Sequence, residues 1–491
     1  MKKISILFTL LFIIVTPIYY ILSLQIPIYS DAAIVLLEAQ DILNENIFLK
    51  GWSLSTGSFY TTDTLIYTMG VWLFGVTTKV LYIMSAAVYA LIVICCLVLS
   101  GKENQGYNYT KMAVTFALIG LPTLFLSSLI FSQAIHMPAI LYTLMSFISL
   151  SYVQNTKIKY GIFVILMTFT AIGDPFAVWF AFVPILLVYG YRWLCRIDRK
   201  ESIYTIVATI GSYIISKVAL WLISIVGFKV PGVPGPSFVE YDKLALNIKL
   251  TITGIISLFG ADVFGKPISD LKTMITASHF LGLLLFVIVI TKILRSWKKQ
   301  DAINQILAIS IISVILEYLF SNMPIDISTT RYFTHALIFG AILVGRLLPS
   351  FSFYENKKRY IVAFSLIYLF TFIQPLSMQP IDTKEQRLSK FLEKQNLKVG
   401  FAPYWSSHSV TLYTNDKVKI RPIVGNPEGY IGPFGWLSKE SWYKEPGTFV
   451  IYESGNWGNV NDATITKTFG KPLEVVKFED YTILKYESIK F

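Results

Sequence analysis

KKISILFTLLFIIVTPIYYILSLQIPIYSDAAIVLLEAQDILNENI, residues 2–47, decides the class of this chain. From Ile4 to Leu24 it is an apolar run behind Lys2 and Lys3, and about 20 such residues are what a helix needs to cross a bilayer core. A signal peptide is the alternative reading. The run is longer than an ordinary signal core and has no small-x-small cleavage site near Ser23, so a retained helix is expected. Asp31 follows directly, at the lip of the bilayer, where an inert connector would have sufficed; ionisable residues in such places are functional candidates by default. Residues 31–47 read as a helix. At about 100° per residue, Asp31, Glu38 and Glu45 fall on one side and Ala33, Leu36, Leu43 and Ile47 on the other, the pattern of a helix lying along the membrane surface.

Apolar runs of similar length recur along the 491 residues, of which 54% are hydrophobic and 15% charged. Candidate spans fall at 4–24, 79–99, 112–131, 137–153, 160–174, 176–191, 203–227, 273–293, 302–320, 332–349 and 360–376, eleven in all. With Lys2 and Lys3 inside, every even connection is inside too. These connections carry Lys102 and Lys111; Lys157 and Lys159; Arg192, Arg196, Arg199 and Lys200; Lys292, Arg295, Lys298 and Lys299; and Arg346, Lys357, Lys358 and Arg359. All obey the positive-inside rule. The expectation is therefore an α-helical polytopic protein of the cytoplasmic membrane with a cytoplasmic N-terminus. Its outer segments are 25–78, 132–136, the turn at Asp174, 228–272, 321–331 and everything after about 377. That divides the chain into a membrane domain, 1–376, and an extracytoplasmic domain, 377–491. Within the outer connection 228–272, residues 247–260 read as re-entrant or interfacial.

The net charge of +12 is largely accounted for by these inner anchors, so no nucleic-acid partner is expected beside the membrane lipids. Cys95, Cys96 and Cys195 fall in or at the inner ends of spans and offer no disulfide framework or thiolate metal site. Asn108-Tyr-Thr has the form of a glycosylation acceptor but lies on the expected inner side. His136, His279, His335 and His408 are scattered without metal-ligand spacing, so zinc is not supported.

The outer segments hold the unusual chemistry. GWSLSTGSFYTTDTLIYTMGVWLFG, residues 51–75, opens with Gly, Ser and Thr and turns apolar from Leu65, which predicts a loop and then a second interfacial helix with Trp52, Tyr60 and Trp72 at headgroup level. The tail follows a helix at about 383–396 with runs that alternate apolar and polar residues, as half-buried strands do, so a small α/β domain is expected there.

An inner N-terminus, one span, a long outer loop opened by an acid, two interfacial helices, a many-helix bundle and an outer C-terminal domain together resemble the glycosyltransferase C superfamily. This family includes protein mannosyltransferases, the aminoarabinose transferase of lipid A and oligosaccharyltransferases. Asp31 in YSDAA matches the family's first-loop catalytic acid. STTRYF at 328–333 is similar to the Arg-Tyr segment that opens a late span, which gives Arg331 the part of a bidentate clamp on a donor phosphate and places Tyr332 at the substrate. VGFAPYWSSHSVTLYT and VVKFEDYTILKYE resemble family tails. The resemblance implies transfer of a monosaccharide from a polyprenyl-phosphate donor to a glycan, lipid or protein acceptor on the outer face, commonly with inversion. Many members carry paired acids where Asp31 is followed by Ala32 and Ala33, which leaves a bound divalent metal weakly supported and no other cofactor expected.

Inverting displacement at an anomeric carbon asks for a base at the acceptor and a cation at the departing phosphate, so a lone first-loop Asp is chemically adequate. Other residues have two readings each. Asp63 either binds substrate or caps the second interfacial helix; Asp174 in GDPF lines the cavity or merely initiates a turn; His136 touches substrate or is a turn residue. Residues 228–243, rich in Pro and Gly, are a lid over the site, with Lys229, Glu240 or Lys243 contributing, or a plain linker. Two other functions fit a polytopic chain. A transporter or flippase needs ionisable residues deep in spans, where only Lys217 and Glu317 qualify, and shows two-half symmetry, which is not visible. An envelope-polysaccharide ligase or polymerase favours a large outer loop late in the bundle rather than first.

Overall fold

The computed structural model describes residues 2–104, 106–131, 136–231, 235–455 and 458–491. Among these, seven helices are long and apolar enough to cross a membrane: Ile4–Ser23, Thr78–Gly101, Thr156–Gly173, Arg199–Val226, Leu271–Arg295, Ala302–Phe320 and Ile327–Ser350. The pair Tyr109–Ile119 and Leu124–Ile130 makes an eighth if it is one span, but it bends by 87° at the break that contains Gly120 and Pro122. The remaining expected spans coincide with shorter elements. Met137–Tyr152 has 16 residues, about 24 Å of helix against a core of about 30 Å. Val178–Leu194 is also short. Tyr354–Phe370 spends its first two turns on Glu355, Lys357, Lys358 and Arg359. Length and composition thus support seven or eight crossings, fewer than the eleven runs counted from sequence.

Two helices that pack on each other make the buried centre, Thr78–Gly101 and Thr334–Leu347, and Thr78–Gly101 also packs against Lys2–Ser23, Tyr109–Ile119 and Met137–Tyr152. Leu244–Leu258, from the segment read as re-entrant or interfacial, packs against the Ala302–Phe320 helix and the 3-10 turn Ile327–Phe333. Of the outer connection 132–136 only His136 is described, and of the proline-rich loop 228–243 residues 232–234 lie outside the described residues.

The first outer loop departs from expectation. Ser30–Leu43 is helical, but it does not lie on a membrane surface. Residues 32–39 are all buried, because the tail covers the helix: Ala32, Ala33, Leu36 and Leu37 share one apolar cluster with Tyr404, Leu412 and Leu437. Only its C-terminal end, with Leu43, Glu45 and Ile47, is open. The second expected helix, Leu65–Phe74, does leave Met69, Trp72, Leu73 and Phe74 exposed, as an interfacial helix would.

The tail holds a six-stranded mixed sheet in the order Ile431–Pro433, Lys419–Gly425, Val399–Pro403, Gly447–Glu453, Tyr481–Ile489, Glu474–Phe478. Val399–Pro403 is parallel to both neighbours and buried almost throughout, which is why it reads as an apolar run. The helix Lys384–Lys394 starts at Thr383, whose side chain accepts from the Gln386 backbone N–H, and buries Leu388 and Leu392 against this sheet. Trp52–Ser53 of the first loop pairs with Ser438–Lys439 of the tail, and Lys439 Nζ meets Asp41 at 2.7 Å. First loop and tail are therefore one packed unit above the helices.

Candidate active site

The Ser and Thr residues of the first loop have a definite job. A helix ends with carbonyls that lack partners within it. At the end of Thr156–Gly173 two such carbonyls are taken by the loop, Ser58 Oγ donating to Ile172 O (2.6 Å) and the Phe59 N–H to Gly173 O (2.8 Å), while one turn earlier Thr61 Oγ1 donates to Phe169 O (2.6 Å). Thr62 packs so closely there that a Cβ on Gly173 would sit 2.4 Å from its Oγ1, so only glycine fits. This lacing leaves a cavity of about 740 Å³ between the first loop, the tail and the helix ends they cover.

Five of the six residues singled out from sequence line that one cavity: Asp31, His136, Asp174, Arg331 and Tyr332. They come from points as much as 300 residues apart. Asp31 is in the first turn of Ser30–Leu43, and its Oδ1 accepts a hydrogen bond from the Tyr404 hydroxyl of the tail. Burial pushes its carboxyl above the usual aspartate range, while the Tyr404 bond and the positive charge of Arg331 pull it back down. Arg331 is held by the 3-10 turn Ile327–Phe333, which Asp326 caps by accepting from Ser328 N–H (2.8 Å) and which Tyr318 steadies through a 2.7 Å bond to Thr329. Its guanidinium carbon lies 5.1 Å from the centre of the Tyr332 ring, and Nη2 donates to the Tyr332 hydroxyl at 3.3 Å.

Asp174 and His136 form a pair. Asp174 Oδ1 accepts from the Phe176 N–H (3.0 Å) in the turn that Pro175 sets, and Oδ2 lies 2.7 Å from His136 Nδ1. His136 adopts φ of +72° at the start of Met137–Tyr152 and is ringed by Phe59, Phe176 and Tyr332. Asp174 is thus turn former and cavity wall at once, and its carboxylate fixes the orientation of the His136 ring through Nδ1.

Asp63 is the exception. It is fully buried behind the cavity and not on its lining, and it does not cap Leu65–Phe74. Its Oδ2 accepts from Thr62 Oγ1 (2.7 Å); burial raises its carboxyl well above the ordinary range, and the nearby charges of Asp174 and Glu38 add to that. A substrate contact is therefore not available to it in this arrangement.

Glu38 takes the place expected of Asp63. It lines the cavity two turns from Asp31, its Oε2 accepts from Thr64 Oγ1 at 2.7 Å, and burial pushes its carboxyl up to about 8. A carboxyl raised that far is biased toward its protonated, hydrogen-bond-donating form. The signal was in the sequence, since Asp31 and Glu38 share one helix side, but a surface-lying helix would have turned that side to water.

Trp436 and Leu437 of the tail close one wall, and Pro231, Gly235 and Pro236 another. The proline-rich loop is anchored at both ends: Lys229 N–H donates to Trp52 O and Val239 N–H to Phe320 O, each at 2.9 Å. Lys229, Glu240 and Lys243 do not face the cavity, nor do Lys217 and Glu317. The carboxylates do not make a metal cradle, because among the described residues no group of three His, Cys, Asp or Glu is close enough to hold an ion. No family model matches the chain, and no curated protein matches it at a significant level.

Proposed function

We propose that the chain is an integral-membrane glycosyltransferase of the C type. It moves a monosaccharide from a polyprenyl-phosphate donor to a glycan, lipid or protein of the envelope, on the outer face of the cytoplasmic membrane and with inversion. The observation that carries this reading is that one cavity gathers a half-buried carboxylate and a guanidinium from distant segments, beside helices that can cross a membrane. Asp31 takes the proton of the acceptor hydroxyl as its oxygen bonds to the anomeric carbon. The bond from that carbon to the phosphate oxygen breaks, its electron pair leaves on the polyprenyl phosphate, and Arg331 meets the charge. Glu38 and the His136–Asp174 pair are placed to hold sugar hydroxyls. A thermal unfolding experiment tests the phosphate site: polyprenyl phosphate at 100 times its Kd should stabilise the protein by about 2.7 kcal/mol, and polyprenol should do far less. Equal stabilisation by both would remove Arg331 from the phosphate.

In this reading all eleven apolar segments enter the bilayer, the shorter ones as incomplete or bent crossings. A reporter active only outside, fused after residue 376, should then be active, and one fused at Lys298 silent; the reverse would place the cavity on the wrong side.

The 2.7 Å His136–Asp174 contact supports a second reading, in which His136 Nε2 is the base. Under the first reading His136→Gln weakens substrate binding about tenfold, the worth of one hydrogen bond, with kcat largely kept. A collapse of kcat in His136→Gln together with an active Asp31→Asn would transfer the role to histidine.

A further inference from the structure

The tail supplies more than a wall. Val399–Pro403 is the central parallel strand of its sheet, and Tyr404 stands at the carboxyl end of that strand, where open α/β sheets present functional groups. Its main chain is docked on the first loop, since Ser30 Oγ donates to Tyr404 O at 2.6 Å, and its ring meets Trp405 and His408 edge-on and Phe434 at a tilt. The buried ring has one polar atom, and that hydroxyl ends on Asp31 Oδ1. Among the described residues this is the side-chain hydrogen bond seen for Asp31, whose helix starts at Tyr29 without a side-chain cap. We propose that Tyr404 is a positioning residue delivered by the C-terminal domain, whose hydroxyl orients the Asp31 carboxylate so that the site is complete only when the tail is docked; this rests on Asp31 being the base.

A phenol donating to a carboxylate favours its ionised form. The other groups facing Asp31 are Arg331 from the 3-10 turn, Glu38 on its own helix, and His136 and Asp174 on the far wall. Tyr404→Phe keeps the ring and the Ser30 bond and removes the hydroxyl alone. A useful control is Tyr413→Phe, which removes another bond between tail and loop, from the Ile28 N–H at 3.3 Å, without touching Asp31.

Infrared titration of the full-length protein in a bilayer, with the Asp31 band identified by its loss in Asp31→Asn, reads this directly and needs no substrate. The midpoint of that band should rise by about one pH unit in Tyr404→Phe and stay in place in Tyr413→Phe. An unmoved midpoint in Tyr404→Phe, or an equal shift in Tyr413→Phe, overturns the proposal. Release of polyprenyl phosphate from a polyprenyl-phosphate sugar separates the two claims: its acid limb should move upward with the infrared midpoint. A shifted midpoint with an unshifted acid limb supports Tyr404 as the partner of Asp31 while removing Asp31 from the role of base.

Discussion

Asp31→Asn is expected to insert, fold and bind the donor, and to lose about 10²–10⁴-fold in turnover, the contribution typical of a general base. Asparagine keeps the size of the side chain and still accepts a hydrogen bond from the Tyr404 hydroxyl, but it cannot take the proton of the acceptor. A purely structural role predicts a different result. Asparagine keeps the Tyr404 bond, so what a structural role would lose is the charge, which faces the helix dipole at about 0.3–1 kcal/mol and the nearby Arg331, and the loss would appear as stability rather than as rate. Kinetics of purified protein with a parallel unfolding curve separates the two. Asp31→Glu should recover part of the rate, because it restores the charge one methylene out of place. Nearly parental turnover in Asp31→Asn would send the search for the base to His136, which shares the cavity, rather than to Asp63, which does not.

Arg331→Ala should weaken donor binding by roughly ten- to a hundred-fold, the worth of one charged hydrogen-bonded contact of about 1.5–3 kcal/mol. Arg331→Lys should fall between. An ammonium keeps the charge but presents a point rather than a planar fork, and it loses the alignment that the guanidinium takes from the ring and hydroxyl of Tyr332. Direct binding of a fluorescent polyprenyl-phosphate sugar measures both. Unchanged affinity in Arg331→Ala would reduce the residue to a headgroup anchor.

Much of this arrangement is legible in the residues, and the misses have physical causes. Apolar runs gave a helix at every expected span. They could not say which helices are full crossings, because Gly120 and Pro122 bend one and the charged first turns of Tyr354–Phe370 shorten another. Asp31 and Arg331 stood out because a charged group at the lip of a span is costly without a partner, and both reach the same cavity. The surface-lying helix failed because amphipathic periodicity says only that one side is apolar. It does not say whether lipid or another part of the chain covers it, and here the tail does. Glu38 turns inward with that helix, and only packing tells the acids of one loop apart: Glu38 lines the cavity and Asp63 lies behind its wall. Tyr404 was beyond local reading: it lies 373 residues from its partner and only the tertiary fold joins them.

The most direct measurement incubates the purified protein with a panel of polyprenyl-phosphate monosaccharides and candidate envelope acceptors, and follows release of free polyprenyl phosphate with the anomeric configuration of the product. The account predicts release on at least one donor, an inverted product, and loss of release in Asp31→Asn with donor binding retained. Absence of release on every donor, or release that persists in Asp31→Asn, would contradict it.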